Sequence, residues 1–243
     1  HSLVTKEFMA YHHLNSEWNS AIKPDYVACL GKIGENLLLK QGVPKQRLLS
    51  TAALRQPILA KKLTEKKITK QITILLSLST EVCAETLMKV YSNNHLIVDE
   101  LKLKVKVKIH PMMKIKDLLK KINWSKLPCN WEWSKRDLYS ELNDSYCTIS
   151  MFTAGAYDAV LSGNIVISLM SDLNLMDNYL DLFSKEHPLT HSVSEKGLAL
   201  KLKDIFISKT QQYHEEFSKI REELIEGMNA INEKNLSAFI PKK

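Results

Sequence analysis

Short apolar runs alternate with helix-like segments along most of this chain, and this alternation constrains the fold more than any other feature. Residues 72–78 (ITILLSL) form a continuous apolar run. Such a run is typical of a central strand in a parallel sheet, because both faces of the strand are buried. Strands separated by helices of about 10–15 residues form right-handed βαβ units. The sequence therefore predicts an α/β fold, a Rossmann-like parallel sheet with flanking helices.

The same pattern places the individual elements and leaves two segments open. Residues 98–104 either extend the preceding helix or begin another, and residues 123–133 (NWSKLPCNWEW) are an aromatic-rich loop or a short edge strand. Thr80, Ser134 and Ser194 are expected to cap helices, because a hydroxyl oxygen can accept from backbone N–H groups. The predicted strands are 25–30, 47–53, 72–78, 105–109, 146–150, 165–169 and 189–193. The predicted helices are 31–41, 81–91, 115–122, 135–142, 153–162, 173–183, 194–207 and 211–229.

The basic charge is concentrated in the middle of the chain. Residues 61–136 hold 17 basic and 7 acidic residues, within a total net charge of +7. Lysine supplies 30 of the 34 basic residues and arginine only four. Because arginine is the usual reader of phosphates and base edges, this composition argues against nucleic acid as a partner. The lysines form solvated faces, or they attract anionic ligands or a membrane surface.

Several site types are excluded by the motifs that the sequence lacks. The seven glycines form no G-x-G-x-x-G, no P-loop and no G-x-S-x-G, so phosphates must be held by helix N-termini and side chains. The four cysteines are singly placed, which predicts no zinc site. Cys29, Cys83 and Cys147 sit among apolar residues, which predicts buried thiols in a reducing compartment. No signal peptide or membrane-spanning run is visible, and a cytoplasmic location is expected. Because the chain begins at His1, it is expected to be processed or a fragment.

Ligands of open parallel sheets bind beyond the carboxyl ends of the strands. That rule selects the turns 78–80, 110–113, 152–156 and 170–172. The turn after residue 150 is the most suggestive, because Thr153, Ala154, Gly155 and Ala156 put small residues at a helix N-terminus, where N–H groups suit a phosphate. The alternative is an ordinary capped helix that packs closely on the sheet.

Other polar residues near these turns have both a binding and a structural interpretation. His110 precedes a stiff proline and either donates to a phosphate or makes a structural hydrogen bond at a strand end. Asp158 either accepts from sugar hydroxyls or complements the helix dipole. Arg55 either contacts a phosphate with two N–H groups or forms a surface ion pair. Ser79 and Thr80 lie in the turn that follows the central apolar run.

Four stretches of this sequence together resemble the C-terminal half of GT-B glycosyltransferases, especially bacterial enzymes of surface-polysaccharide synthesis. Residues 24–55 resemble the Pro-Asp, strand, Gly, helix, Gly-Val-Pro, strand, Arg passage that crosses into the nucleotide domain. Residues 72–80 (ITILLSLST) resemble the first strand and turn of that domain, and residues 108–111 (KIHP) resemble a Lys-x-His-Pro stretch. Residues 150–169 (SMFTAGAYDAVLSGNIVISL) resemble the stretch that contacts the donor nucleotide.

The resemblance implies a domain plan and an activity. Residues 1–54 would be a linker and the end of the N-terminal half, 55–207 the nucleotide-sugar-binding domain, and 208–243 a C-terminal helix and tail. The chain would be the donor-binding portion of a hexosyltransferase-like enzyme that uses a glycan or lipid-linked acceptor, at the inner face of a membrane. The resemblance implies no metal and no other cofactor, and it places the catalytic base outside this portion.

The sequence departs from the family pattern at three points. Asp158 stands where the family has a longer Glu, Ile165 replaces a Pro, and the E-x-x-x-x-x-x-E pattern of retaining enzymes is missing. The site residues carried over for donor or phosphate binding are His110, Thr153, Ala154, Gly155, Ala156, Asp158, Arg55, Ser79 and Thr80. The competing hypothesis is a non-catalytic α/β interaction module that binds anionic partners through its basic middle segment.

Overall fold

A computed structural model describes residues 25–53, 67–172, 189–208, 212–213, 228–229 and 231–237. The strands in these residues lie close to the predicted ones but are mostly shorter, and residues 131–133 form an edge strand rather than a loop. The strands are β1 (Val27–Cys29), β2 (Leu48–Ser50), β3 (Gln71–Leu75), β4 (Lys104–Lys108), β5 (Trp131–Trp133), β6 (Cys147–Ser150), β7 (Ile165–Leu169) and β8 (Thr190–Val193).

Six of these strands form one parallel sheet in the order β5-β4-β3-β6-β7-β8. The chain moves outward from β3 to β5, returns to β6 beside β3, and moves outward again to β8. The strand order therefore reverses between β3 and β6, which is the position where open α/β sheets bind ligands. The α/β class and the Rossmann-like parallel sheet are confirmed.

The helices of the described residues alternate with the strands as predicted. They are α1 (Lys32–Lys40), α2 (Thr80–Tyr91), α3 (Ile115–Lys121), α4 (Leu138–Asp144), α5 (Gly155–Leu161), α6 (Glu195–Lys203) and α7 (Glu233–Leu236). Residues 95–100 and 204–208 add π-helical turns. The helical prediction for 98–104 is therefore confirmed only for 98–100, which belong to the first of these turns, since β4 begins at Lys104. The predicted helix at 173–183 lies outside the described residues, as does most of 211–229.

Two of the three predicted helix caps are wrong by one and three residues. Ser79, not Thr80, caps α2, and its Oγ accepts from the N–H of Val82 at 3.4 Å. Asp137, not Ser134, caps α4, because the Asp137 carboxylate accepts from two successive backbone N–H groups, at 3.0 Å each. Ser194 caps α6 as predicted.

The main core lies on both faces of β3 and β6. Ile72, Ile74 and Ile149 are fully buried, as the continuous apolar run around residue 74 predicts. Right-handed crossovers place α2 and α3 on one face and α4 and α5 on the other. Helix α6 joins the first face by packing on α2, and α4 packs on β3.

The two remaining strands, β1 and β2, form a small parallel sheet with its own apolar cluster of Val27, Cys29, Leu38 and Val43. Asn229, from the C-terminal part of the chain, fastens onto this sheet. Its amide nitrogen donates to the Cys29 and Thr51 carbonyl oxygens at 3.1 and 2.9 Å. The preceding residue, Met228, packs against the core of the six-stranded sheet. The C-terminal segment thereby joins the two sheets, and the predicted boundary at residue 54 lies outside the described residues.

Candidate functional site

The carboxyl ends of three neighbouring strands bring most of the predicted site residues to one edge of the sheet. Leu75 at the end of β3 is level with Lys108 of β4 and Ser150 of β6. The turns that follow carry His110 after β4, Ser79 and Thr80 after β3, and 153–156 after β6. This edge lies at the point where the strand order reverses, where the crevice of an open α/β sheet forms.

The turn after β6 exposes two backbone donors. Phe152 adopts a left-handed conformation with φ of 47°, which turns the chain sharply before the helix. Thr153 accepts from the N–H of Gly155 with its Oγ1 at 3.3 Å, and from the N–H of Ala156 with its carbonyl. Among the described residues, no acceptor faces the N–H groups of Thr153 and Ala154. Helix α5 begins at Gly155 rather than at Thr153.

Gly155 has a packing role at this turn. A Cβ placed on it would lie 3.3 Å from the Cδ1 of Leu75 and 4.0 Å from the Cδ2 of Leu138. The first of these distances is tighter than an ordinary van der Waals contact, and the second is ordinary. The glycine therefore lets α5 approach β3, which is the close-packing interpretation of the turn.

His110 is held by its own turn. Its Nδ1 accepts from the N–H of Met112 at 3.2 Å. An accepting Nδ1 leaves the ring proton of a neutral imidazole on Nε2. The ring can therefore donate from Nε2 to an oxygen atom at the carboxyl edge.

The turn after β3 is more fully occupied by internal bonds. The Ser79 hydroxyl caps α2 and also donates to the Oε2 of Glu81 at 3.2 Å. Lys121 lies 3.5 Å from the other oxygen of Glu81. The backbone, Ser79 and Lys121 together lower the pKa of Glu81, so a carboxylate already sits at this helix N-terminus. Ser79 and Thr80 are at the predicted edge, but Ser79 serves the helix itself.

A further predicted residue does not join the exposed edge. The side chain of Asp158 is buried on α5, with 2% of its surface exposed. Burial, and secondarily the charge of Asp158, raises the pKa of the neighbouring Tyr157. Arg55 lies outside the described residues.

The turn after β7 is fixed by a polar cluster that the sequence pattern does not reveal. Lys89 of α2 donates to Asp172 and lies 2.8 Å from Glu85. Glu85 accepts from the Ser171 hydroxyl at 3.0 Å and from the N–H of Asp172 at 2.9 Å. Lys89 and Glu85 of α2 are more than 80 residues away in the chain from Ser171 and Asp172. In the sequence, only Glu85 and Lys89 on α2 indicate such a cluster. Their spacing is that of an ordinary i,i+4 ion pair on one helix, so it does not predict the contacts with the distant turn.

Exposed apolar side chains also mark the carboxyl edge. Leu78, Met112 and Met170 follow β3, β4 and β7, and are 61%, 78% and 50% exposed. The tryptophans lie elsewhere, because Trp124 and Trp131 make edge-on contacts with Tyr91 and each other. The Trp131 ring N–H also donates to Asn94, and Trp133 packs against the core. These three tryptophans therefore pack within the fold rather than at the carboxyl edge.

No protein-family model and no curated protein matches this sequence. Solved structures match the fold instead. MnaA of S. aureus, in a co-structure with UDP, has a TM-score of 0.56 at 15% identity, over 89% of this chain and 57% of that chain. The UDP-GlcNAc 2-epimerase of Methanocaldococcus jannaschii, in complex with UDP-GlcNAc and UDP, has a TM-score of 0.54 at 16% identity, over 82% of this chain and 61% of that chain. TarM has a TM-score of 0.53 at 16% identity, over 89% of this chain and 43% of that chain.

The chain has a GT-B-like fold. Because these identities are 15–16%, the likeness shows the fold that the proteins share. The chain spans 57% and 61% of the length of the first two structures. The parallel sheet and its reversal between β3 and β6 agree with this fold.

The described residues contain neither a cluster of metal-binding side chains nor a helix suited to cross a membrane. Across these residues, no group of three or more His, Cys, Asp and Glu side chains is arranged to hold a metal ion. None of the helices in the described part of the chain combines the length and the apolar character needed to cross a bilayer.

Proposed function

We propose that this chain carries the donor-binding portion of a glycosyltransferase. The enzyme would transfer a sugar from a nucleotide-activated donor to a surface-polysaccharide or glycan acceptor. One observation carries this proposal, namely that hydrogen-bond donors follow the carboxyl ends of β4 and β6, on either side of β3, and that no described residue competes for them. These are the N–H groups of Thr153 and Ala154 in the turn after β6, together with the Nε2–H of His110 after β4.

In this proposal the donor phosphates lie across the carboxyl ends of β4, β3 and β6. Backbone N–H groups are fixed donors that need little reorganisation during the reaction, so they stabilise the charge that develops on the leaving phosphate. His110 adds a donor from the opposite side of the crevice. The nucleotide leaves with the electron pair of the glycosidic bond, and the sugar carbon is attacked by an acceptor hydroxyl. The group that deprotonates this hydroxyl is not assigned to the described residues.

The structural neighbours support the nucleotide part of the proposal. One was solved with UDP and another with UDP-GlcNAc and UDP. Transfer, rather than epimerisation, rests on the four sequence stretches that resemble glycosyltransferases. An acceptor linked to a lipid, and a cytoplasmic enzyme at the membrane face, belong to the same proposal.

Calorimetric titration with UDP-, GDP-, TDP- and CMP-sugars tests the proposal. One donor class is expected to bind, with an affinity unchanged by a chelator, since no metal takes part. His110→Ala and Ala154→Pro should each weaken binding by about 10- to 100-fold, the worth of a hydrogen bond to a charged group. Proline removes the N–H of Ala154 and matches its φ of −61°. Lys116→Ala, on the exposed surface of α3, is the control.

Two contrary results have different meanings, because the chain could fail to bind any donor or could bind the donor at another place. If no nucleotide sugar binds at millimolar concentration, the proposal is wrong, and salt-sensitive binding of anionic partners would favour the interaction module. If a donor binds with equal affinity to His110→Ala, Ala154→Pro and the wild type, the donor lies elsewhere. Thermal unfolding of each variant excludes misfolding as the cause of weaker binding.

A further inference from the structure

Strand β4 has one apolar and one lysine face. Val105 and Val107 are buried in the core, whereas Lys104, Lys106 and Lys108 alternate with them and point to the other face. Strands of a parallel sheet normally have both faces covered by helices. Helix α4 packs on β3 at this face, and no described helix packs extensively on β4 or β5. Within the described residues, the lysine face of β4 is therefore open beside α4.

This opening is a cavity of about 580 Å³, called the β4 groove below. Lys104 and Lys106 line it from β4, and Glu141 lines it from α4. Lys102, Cys129 and Arg136 also line the groove. Its volume lies within the range of small-molecule sites, which is about 300–1,000 Å³. A concave site of this size suits a discrete molecule better than a flat membrane surface.

The charges in the groove are only partly neutralised. Lys106 pairs with Glu132, and Arg136 pairs with Asp144. In the described part of the chain, no acidic side chain pairs with Lys102 or Lys104. Lys106, and at longer range Lys104, lower the pKa of the exposed Glu132. The groove thus keeps a surplus of positive charge.

The groove also contains neutral and acidic groups with fixed positions. The carboxylate of Glu141 is 1% exposed and accepts from the Gln71 side chain at 2.8 Å and from the Ser134 hydroxyl. These bonds occupy both oxygens of Glu141, so its carboxylate fixes a wall of the groove. Asn130 lies on the same lining. Its amide can bind hydroxyls, whereas the lysines bind phosphate.

We propose that the β4 groove binds a free phosphorylated small molecule of about the size of a hexose phosphate. Lys102 and Lys104 hold its phosphate, and Asn130 faces its hydroxyl groups. The site is separate from the proposed donor site, because Lys104 begins β4 and His110 follows its end. Because a strand rises by about 3.3 Å per residue, Lys104 and His110 are about 20 Å apart. The inference therefore does not depend on the proposed function.

Cys129 provides a direct reporter of occupancy. Its thiol is exposed on the groove, and the other three cysteines are buried. Burial raises the pKa of Cys29 to about 11 and also raises the pKa values of Cys83 and Cys147. Because the thiolate is the reactive form, N-ethylmaleimide should label the folded chain at Cys129 first. This reagent is neutral, so it does not itself compete for the lysines.

The experiment measures the labelling rate of Cys129 with glucose 6-phosphate or inorganic pyrophosphate, at constant pH and ionic strength. At about ten times its dissociation constant, the ligand should slow labelling about tenfold. K102Q/K104Q should abolish this protection. K116Q/K120Q removes the same charge from exposed positions of α3, and this variant should retain the protection of Cys129 by the ligand.

Three results would overturn the proposal. The first is the absence of protection by either phosphate compound. The second is protection that persists in K102Q/K104Q. The third is protection only by vesicles that contain phosphatidylglycerol, which would make the groove a membrane-binding surface. A thermal unfolding midpoint unchanged in K102Q/K104Q shows that loss of protection reflects lost binding.

Discussion

The side-chain ammonium of Lys89 donates to the main-chain carbonyl oxygen of Met170 across 2.7 Å. The same ammonium contacts Asp172 and Glu85 at 2.8 Å each, so all three of its donors are used. Lys89 is almost completely buried, and Asp172 is exposed. The contact joins the last turns of α2 to the segment that leaves β7. One side chain therefore determines the path of a turn at the carboxyl edge.

Replacing Lys89 by Met should destabilise the protein by about 2–3 kcal/mol, because carboxylate and carbonyl oxygens then lose a charged donor. Urea unfolding measures the change in the free energy of unfolding. Lys116→Met, at an exposed position of α3, should stay within about 0.5 kcal/mol of the wild type. Hydrogen exchange at 170–172 should accelerate in Lys89→Met. Equal stabilities for the two variants would contradict the proposed role of Lys89.

Glu85 should make stability depend on acid pH. Burial opposes its ionisation, but hydrogen bonds from Lys89, Asp172 and Ser171 outweigh burial and lower its pKa below the ordinary 4.5. A carboxyl group with a lowered folded-state pKa stabilises the fold above its unfolded-state pKa, and this contribution disappears as pH falls through the lowered value. Below about pH 4.5, stability should therefore fall less steeply in Glu85→Gln than in the wild type. Urea unfolding across this range tests the slope, and parallel curves would refute the prediction.

Asn229→Ala should loosen the small sheet. The variant loses donors to the Cys29 and Thr51 carbonyls and to the Ser50 hydroxyl. The expected cost is about 1–2 kcal/mol, because three hydrogen bonds are lost, although the Cys29 carbonyl still accepts from Thr51. Hydrogen exchange should rise in β1 and β2 and stay unchanged in β3. Lys234→Ala, at an exposed position of α7, is the control, and an equal change in both variants would argue against this attachment.

Gly155→Val should destabilise the protein by about 1–3 kcal/mol, through overpacking against Leu75. A Leu75→Ala exchange leaves space at the same contact. The two substitutions together should therefore cost less than their sum, by about 1 kcal/mol. A double-mutant cycle in urea measures this coupling. Strict additivity would show that the glycine is not required by this contact.

The strongest sequence signals predicted the elements that position the site. The predicted strand at 165–169 matches β7 residue for residue, since Ile165–Leu169 is buried throughout and its pattern leaves no alternative. The turns with His110 and Thr153 were placed at the correct edge, because the direction of parallel strands follows from βαβ connections. The edge strand at Trp131–Trp133 was only one of two options, since three residues are too few to show a period.

The errors arise where two residues satisfy the same local rule or where distant residues meet. Ser134 and Asp137 are both good caps, and only the position of the first helical turn decides between them. Ser79 and Thr80 pose the same choice one residue apart. The contacts of Lys89 link segments separated by 81 and 83 residues. A local pattern contains no information on such contacts, so the fixed turn after β7 could not be predicted.

The attachment of Asn229 to Cys29 has a consequence for how the protein is made. The two residues are 200 positions apart, and the ribosome releases the N-terminal one first. A two-stranded sheet is marginal in water by itself. Strands β1 and β2 must therefore wait, incompletely bonded, until residue 229 has been translated. The small sheet is synthesised well before it is completed, and its closure depends on a long-range contact of the kind that slows folding.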